Sequence, residues 1–147
     1  MIKTHTSTSK EQQEAEREML RNFERDHKLT PCEPIFSNDF SVQIDGTYKN
    51  DNKQWIFIEV YARQGTLKSG HYRKVCTDML KLITAEQFLG EKAEKYILFG
   101  SEEAKSCFEN NSWHNKAAKK FGINLEIGKL SDDTKKKIWT AQIRQKR

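Results

Sequence analysis

Two carboxylates stand where their surroundings would not ordinarily place them. Asp45 lies on the polar side of an alternating stretch in which Phe40, Val42, Ile44 and Tyr48 are separated by polar residues, and Gly46 follows it. Glu59 interrupts Trp-Ile-Phe-Ile-Glu-Val-Tyr, residues 55–61, a run that is apolar on both faces of a strand. A carboxylate buried there is costly unless it meets a cation, a metal or hydrogen-bond donors. If the two stretches form a hairpin, neighbouring strands about 5 Å apart let the two acids converge. Two carboxylates completed by water and phosphate oxygens suit magnesium, and such a site can activate water and steady a leaving oxygen. Turn chemistry at Asp45-Gly46 and an ion pair of Glu59 with Arg63 or Lys74 are the plainer alternatives. The residues alone leave both readings open.

Two helices would have to bring further groups to these acids. Ser9-Lys10-Glu11-Gln12 has the form of a capping box and predicts a helix to about His27. Its apolar stripe is Ala15, Met19, Leu20 and Phe23, and Glu16 falls inside it. Glu16 therefore either reaches the acidic site or snorkels at the edge of the stripe. A second helix is predicted from about His71 to Phe88, with Val75, Met79, Leu82 and Ile83 on its stripe. His71, Lys74, Asp78 and Lys81 share the flank beside that stripe. Lys74 either points toward the carboxylates, where it would stabilise charge on phosphate, or pairs with Asp78 on the surface at i,i+4 spacing.

The remaining elements follow from pattern and punctuation. Pro31 and Pro34 break the chain after the first helix, and a short strand is expected around residues 34–37. Strands are expected at about 40–48, 55–62, 96–99 and 123–127, with Asp51-Asn52 in the turn of the hairpin. Ser101 starts a helix that is interrupted near Asn110-Asn111 and ends at Gly122, and Ser131-Asp132-Asp133 caps a last helix to about Gln145. This order implies an α/β protein with a mixed sheet flanked by helices. Residues 1–8 are expected to be a loose N-terminus and residues 9–147 a single domain.

Composition narrows the partners. The formal charge is +5 and 32% of the residues are charged, while the basic residues crowd the last third. That asymmetry favours a polyanionic partner, nucleic acid ahead of a membrane surface, while a solvated, solubilising face accounts for it equally well. No apolar run approaches the length of a membrane span, and no basic-then-apolar leader opens the sequence, so a cytoplasmic protein is expected. Cys32, Cys76 and Cys107 lack metal-ligand spacing and read as reduced thiols. Neither a compact histidine cluster for zinc nor a glycine-rich phosphate loop is present. Trp113, Trp139 and Tyr72 could stack on bases, although core or interface anchoring is the expectation for the tryptophans.

In element order, and in Ile44-Asp45-Gly46 followed by Ile56-Phe57-Ile58-Glu59-Val60-Tyr61, residues 10–100 resemble the PD-(D/E)XK nuclease superfamily. The resemblance implies a restriction-endonuclease-like αβββαβ core, here with a C-terminal helix-strand-helix extension. It implies that Asp45 and Glu59 ligate Mg2+ or Mn2+, that Glu16 supports them, and that water attacks a phosphodiester. The family's lysine two residues after the second acid is absent, because Tyr61 occupies that position. Lys74 is the candidate to replace it, with Arg63, Gln64 and Lys68 as weaker substitutes. Catalytic roles are thus expected for Asp45, Glu59 and Lys74, and nucleic-acid contacts for Lys68, Lys81, Lys135, Lys136 and Lys137. DNA is the expected partner ahead of RNA, with a homodimer or a defence or repair complex as the setting. The alternative is a catalytically degenerate subunit that binds nucleic acid or protein.

Overall fold

The computed structural model describes residues 10–110 and 113–145. The expected loose N-terminus, the Ser9 cap, Asn111 in the helix interruption, and Lys146 and Arg147 of the basic tail lie outside these residues. In chain order the elements are α1 (Lys10–His27), β1 (Thr30–Pro31), β2 (Gly46–Lys49), β3 (Trp55–Tyr61), α2 (Ser69–Leu89), β4 (Ala93–Phe99), α3 (Glu102–Glu109), α4 (Trp113–Lys120), β5 (Ile123–Ile127) and α5 (Asp132–Gln145). The strands form one sheet in sequential order. β1, β2 and β3 pair antiparallel, and β4 and β5 continue parallel to β3. The expected α/β class with a mixed sheet is therefore observed.

Helices cover both faces of the sheet. Phe57 and Tyr61 of β3 meet Val75, Met79 and Leu82 of α2, with Phe108 of α3 and Ala118 of α4 in the same cluster. Ile56, Ile58, Val60 and Ala62 point the other way, onto Ala15, Met19 and Phe23 of α1 and Ile138 of α5. The apolar character of β3 on both faces follows directly, since a central strand between two helical layers has no solvated side.

The region before β2 departs from the expected pattern. Alternation predicts a strand over 40–48, but only Gly46–Lys49 pairs with β3. The short strand expected at 34–37 lies instead at Thr30–Pro31, opposite Lys49 and Tyr48. The cause is visible in the packing of residues 36–40. The Ser37 amide and hydroxyl both donate to the Phe88 carbonyl, and the Phe40 ring stacks on Phe88 at 4.3 Å. Asn38 and Asp39 adopt positive φ of 57° each, which turns the chain. This segment is bound to the end of α2 rather than laid along β3. β4 is longer than expected, because Ala93, Glu94 and Lys95 also pair in parallel with residues 55–57.

The helix ends agree with their signals. Ser101 and Ser131 accept from the Ala104 and Thr134 amides through their hydroxyls. Gly122, at φ 70°, follows α4 as a left-handed terminator. The C-terminal extension contains two helices before its strand, since the expected interruption separates α3 from α4. Among the described residues no helix is long and apolar enough to cross a membrane.

Candidate active site

The two anomalous acids meet where β2 begins. The register pairs Gly46 with Ile58, so Asp45 falls opposite Glu59 just beyond the ladder. There the side chains take over the hydrogen bonds that strand pairing would have made. The Asp45 amide donates to Glu59 Oε2 at 2.8 Å, and the Val60 amide donates to Asp45 Oδ2 at 2.9 Å. Each carboxylate is thus oriented by the other strand's backbone. Gly46 is required by close approach, because a Cβ there would come within 2.7 Å of the Tyr48 ring and 2.9 Å of Leu20.

Glu59 is 1% exposed, and its other oxygen is held by Lys81 at 2.8 Å. The pair anticipated for Glu59, with Arg63 or Lys74, is therefore formed by Lys81 of α2. Lys74 lies one turn or more nearer the start of α2 and contacts both oxygens of Asp78 at 3.0 Å. The expected i,i+4 pair thus forms with its lysine at the surface, at 59% side-chain exposure, and its acid turned inward, since Asp78 is only 3% exposed. Val75, Asp78, Met79 and Leu82 stand at i, i+3, i+4 and i+7, so the stripe itself contained the signal that Asp78 turns inward.

Glu16 of α1 and Asp45 open into a common cleft of about 380 Å³, with Lys74, Tyr61, Arg63 and His71 also on its walls. The sheet end thus gathers Glu16, Asp45, Glu59 and Asp78 against Lys74 and Lys81. Burial, followed by repulsion from Asp45, pushes Glu59 up to about 8, against the pull of Lys81 and the Asp45 amide. Burial and the charge of Asp45 raise Glu16 to about 7. Asp45 keeps solvent contact on its cleft side, yet the protein packed round it also raises its pKa, opposed by the Val60 amide and Lys81. Burial alone would lower Lys74, but the charge and hydrogen bonds of Asp78 outweigh it and hold the ammonium above its ordinary pKa.

These acids are crowded more closely than their lysines can balance, which is the condition a divalent cation would relieve. Among the described residues no three acidic, histidine or cysteine side chains converge on one point. An ion held here would therefore meet at most two carboxylates and would have to complete its shell with water or ligand oxygens. Glu59 retains lone pairs beyond those used by Lys81 and the Asp45 amide.

Comparison with known proteins gives one distant likeness. No protein family and no curated protein matches the sequence. A repair endonuclease from Pyrococcus abyssi, known from its crystal structure, is similar over 79% of this chain, at 15% identity and a TM-score of 0.43. This chain spans 46% of that protein.

Of the other expected residues, all but Lys81 lie apart from the carboxylates. Lys68 is exposed at the N-cap of α2, where its amide donates to His71 Nδ1 at 2.9 Å. Lys135 and Lys136 border a groove under Trp139, and Lys137 pairs with Asp133 at 3.2 Å. Lys81, for which a nucleic-acid contact is expected, contacts Glu59 and keeps part of its side chain exposed. Trp113 and Trp139 are 68% and 50% exposed, so neither is a core anchor. Tyr72 is held by its hydroxyl to the Cys107 carbonyl at 2.8 Å. Sequence reading missed Gln142, whose amide group exchanges hydrogen bonds of 2.8 and 3.1 Å with the Gln64 backbone and fixes the exit from β3.

Proposed function

We propose that this chain is a nuclease that hydrolyses phosphodiester bonds of DNA and depends on Mg2+ or Mn2+. The observation supporting this most strongly is the reciprocal clasp of Asp45 with the buried Glu59, since Asp45 lines a cleft that Glu16 also lines. Asp45 and Glu59 would hold the ion and Glu16 would support it. The bound cation would supply neutralisation of phosphate charge and a water of lowered pKa. The chain's own groups do the positioning. The two strand backbones fix the carboxylates, and the clasp keeps them aligned without help from substrate. Lys74, kept protonated by Asp78, lies on the cleft wall to stabilise charge that builds on the phosphate. The basic residues of α5 attract the polyanion, and a homodimer would allow both strands of a duplex to be cut.

The test is cleavage of plasmid and single-stranded DNA with magnesium, manganese or EDTA, for the wild type and Glu59→Ala. Metal-dependent cutting that disappears in the variant supports the reading. Lys74→Ala should abolish turnover while calorimetry still detects metal binding. Unchanged turnover in that variant would remove Lys74 from the mechanism.

One observation favours a second reading. Tyr61 occupies the family's lysine position, and both Glu59 oxygens already have protein partners. A catalytically degenerate subunit, which binds nucleic acid or a protein partner without cutting, would retain this arrangement. No cutting by the wild type at concentrations where DNA shifts on a gel would select it.

A further inference from the structure

The cleft has a second wall that the carboxylates do not explain. Tyr61 follows Glu59 by two residues on the same face of β3, and its hydroxyl is buried with no protein partner among the described residues. Arg63 lines the same cleft, its Nε is likewise buried without a partner, and no described acid forms an ion pair with it. Its charge acts on both Tyr61 and His71, so the three groups are neighbours. The Tyr61 and His71 rings lie 6.2 Å apart.

The protonation of this wall follows from its contacts. A backbone amide can only donate, so the Lys68 amide makes His71 Nδ1 an acceptor. The ring is then neutral and carries its proton on Nε2. Burial and the neighbouring Arg63 and Lys68 charges lower the His71 pKa, which keeps it in that form. The Tyr61 phenol brings an O–H donor. His71 is the third residue of α2, whose positive dipole end lies beside the group. The result is a cationic set of donors within the cleft wall, in which the Tyr61 hydroxyl and Arg63 Nε have no acceptor among the described residues.

We propose that Tyr61, Arg63 and His71 grip a backbone phosphate of the nucleic acid beside the carboxylates and take over the positioning work of the lysine missing at residue 61. Buried donors without acceptors are costly, and a phosphate presents several lone pairs to a fork of N–H and O–H groups. Glu16 and Asp45 of the same cleft could not serve alone, since carboxylates repel an anion. The assignment to nucleic acid rests on the nuclease reading above, whereas the phosphate grip itself can be tested without turnover.

The experiment follows the Arg63 Nε–H and His71 Nε2–H resonances of the whole chain in EDTA. The probes are inorganic phosphate, acetate, and a short oligonucleotide with or without a 5′-phosphate. Both resonances should shift with either oligonucleotide and with phosphate, and not with acetate. Tyr61→Phe, which keeps the ring, and Arg63→Gln should each weaken oligonucleotide binding three- to tenfold. Only Arg63→Gln should reduce the dependence of log K on log salt, by about one unit. Rescue of binding by Arg63→Lys but not Arg63→Gln would support a contact through charge.

Shifts confined to the 5′-phosphorylated oligonucleotide would overturn the backbone contact in favour of a terminal phosphate. Equal shifts with acetate would reduce the site to a general anion pocket and overturn the proposal. So would folded variants that bind like wild type, or the absence of any shift. If the wild type never cuts DNA but the resonances still respond as expected, the grip stands and the nuclease reading falls. If it cuts, and both variants cut with unchanged kcat and KM, the grip falls and the nuclease reading stands.

Discussion

Helix α2 makes two buried ion pairs with the sheet, and they differ in kind. Toward its C-terminal end, Glu86 meets Lys95 of β4 at 2.6 Å; in its middle, Lys81 meets Glu59 of β3 at 2.8 Å. The first pair is closed. Lys95 also reaches the Ala93 carbonyl, and the second Glu86 oxygen accepts from the Ala93 amide. Burial opposes the Glu86 charge, but that amide and Lys95 prevail and lower its pKa. The second pair is open, because burial, then the charges of Asp45 and Asp78, push Glu59 the other way, up to about 8. A fold gains nothing from collecting like charges at one end of a sheet, so the open pair is where a ligand is to be sought.

Removing one lysine from each pair should separate them most clearly. Lys95→Ala strands Glu86 beside β4 and is expected to destabilise the fold by about 3–5 kcal/mol. Lys81→Ala should cost distinctly less, because Glu59 is already poised to take up a proton and enter the core neutral. Urea unfolding of both variants at neutral pH checks the order. Equal losses would mean that Glu59 is as firmly ionised as Glu86.

The dependence on pH sharpens the same contrast. Glu59 has a folded pKa above its unfolded value, so its contribution is complete below about pH 4.5 and is lost as pH rises toward 8. Glu16 acts in the same direction up to about 7. Glu86 has the opposite sign, contributing above its ordinary pKa and losing that contribution as acid protonates it. Glu59→Gln should therefore flatten the fall in stability between about pH 5 and 8, and Glu86→Gln should leave that window unchanged. Thermal midpoints across pH read both. Magnesium or manganese should raise the midpoint of wild type and not that of Asp45→Asn, since an ion that binds only the folded site stabilises it.

The same comparison explains what the sequence could disclose. Glu59 was conspicuous because β3 has no polar face, and Glu16 because it falls in a stripe; each anomaly is local. The identity of Glu59's partner was not local. Lys81 lies 22 residues away and reaches Glu59 only because α2 crosses behind β3. The limit of β2 was hidden for a related reason. Residues 40–45 alternate like a strand, but the stacking of Phe40 on Phe88, far along the chain, decides that they do not pair. Asp78 was legible and lost to a competing rule, since i,i+4 pairing with Lys74 described its neighbour correctly and its burial wrongly. Gln142 gave no signal, because an amide at the edge of a helix is ordinary until β3 is known to end against it.

The smallest expected effect concerns α5, which joins the cleft to a different surface. Gln142 ties it to the exit of β3, Gln145 lines the carboxylate cleft one turn later, and Trp139 shields Gly65 one turn earlier. Gly65 sits at φ 89°, and a Cβ there would approach the Trp139 ring to 3.2 Å, so loop and helix are closely fitted. Lys136 borders this groove with no ion pair among the described residues, unlike Lys137, which Asp133 engages. If α5 steers a polyanion toward the cleft, Lys136→Gln should lower the slope of log K against log salt by about one. Lys137→Gln should lower it less, because Asp133 already engages that lysine and leaves it less charge to offer a phosphate. Neither variant should alter the maximal cleavage rate. A fall in that rate for Lys136→Gln would move this lysine from attraction at a distance to contact with the reacting phosphate, and α5 would then belong to the site itself.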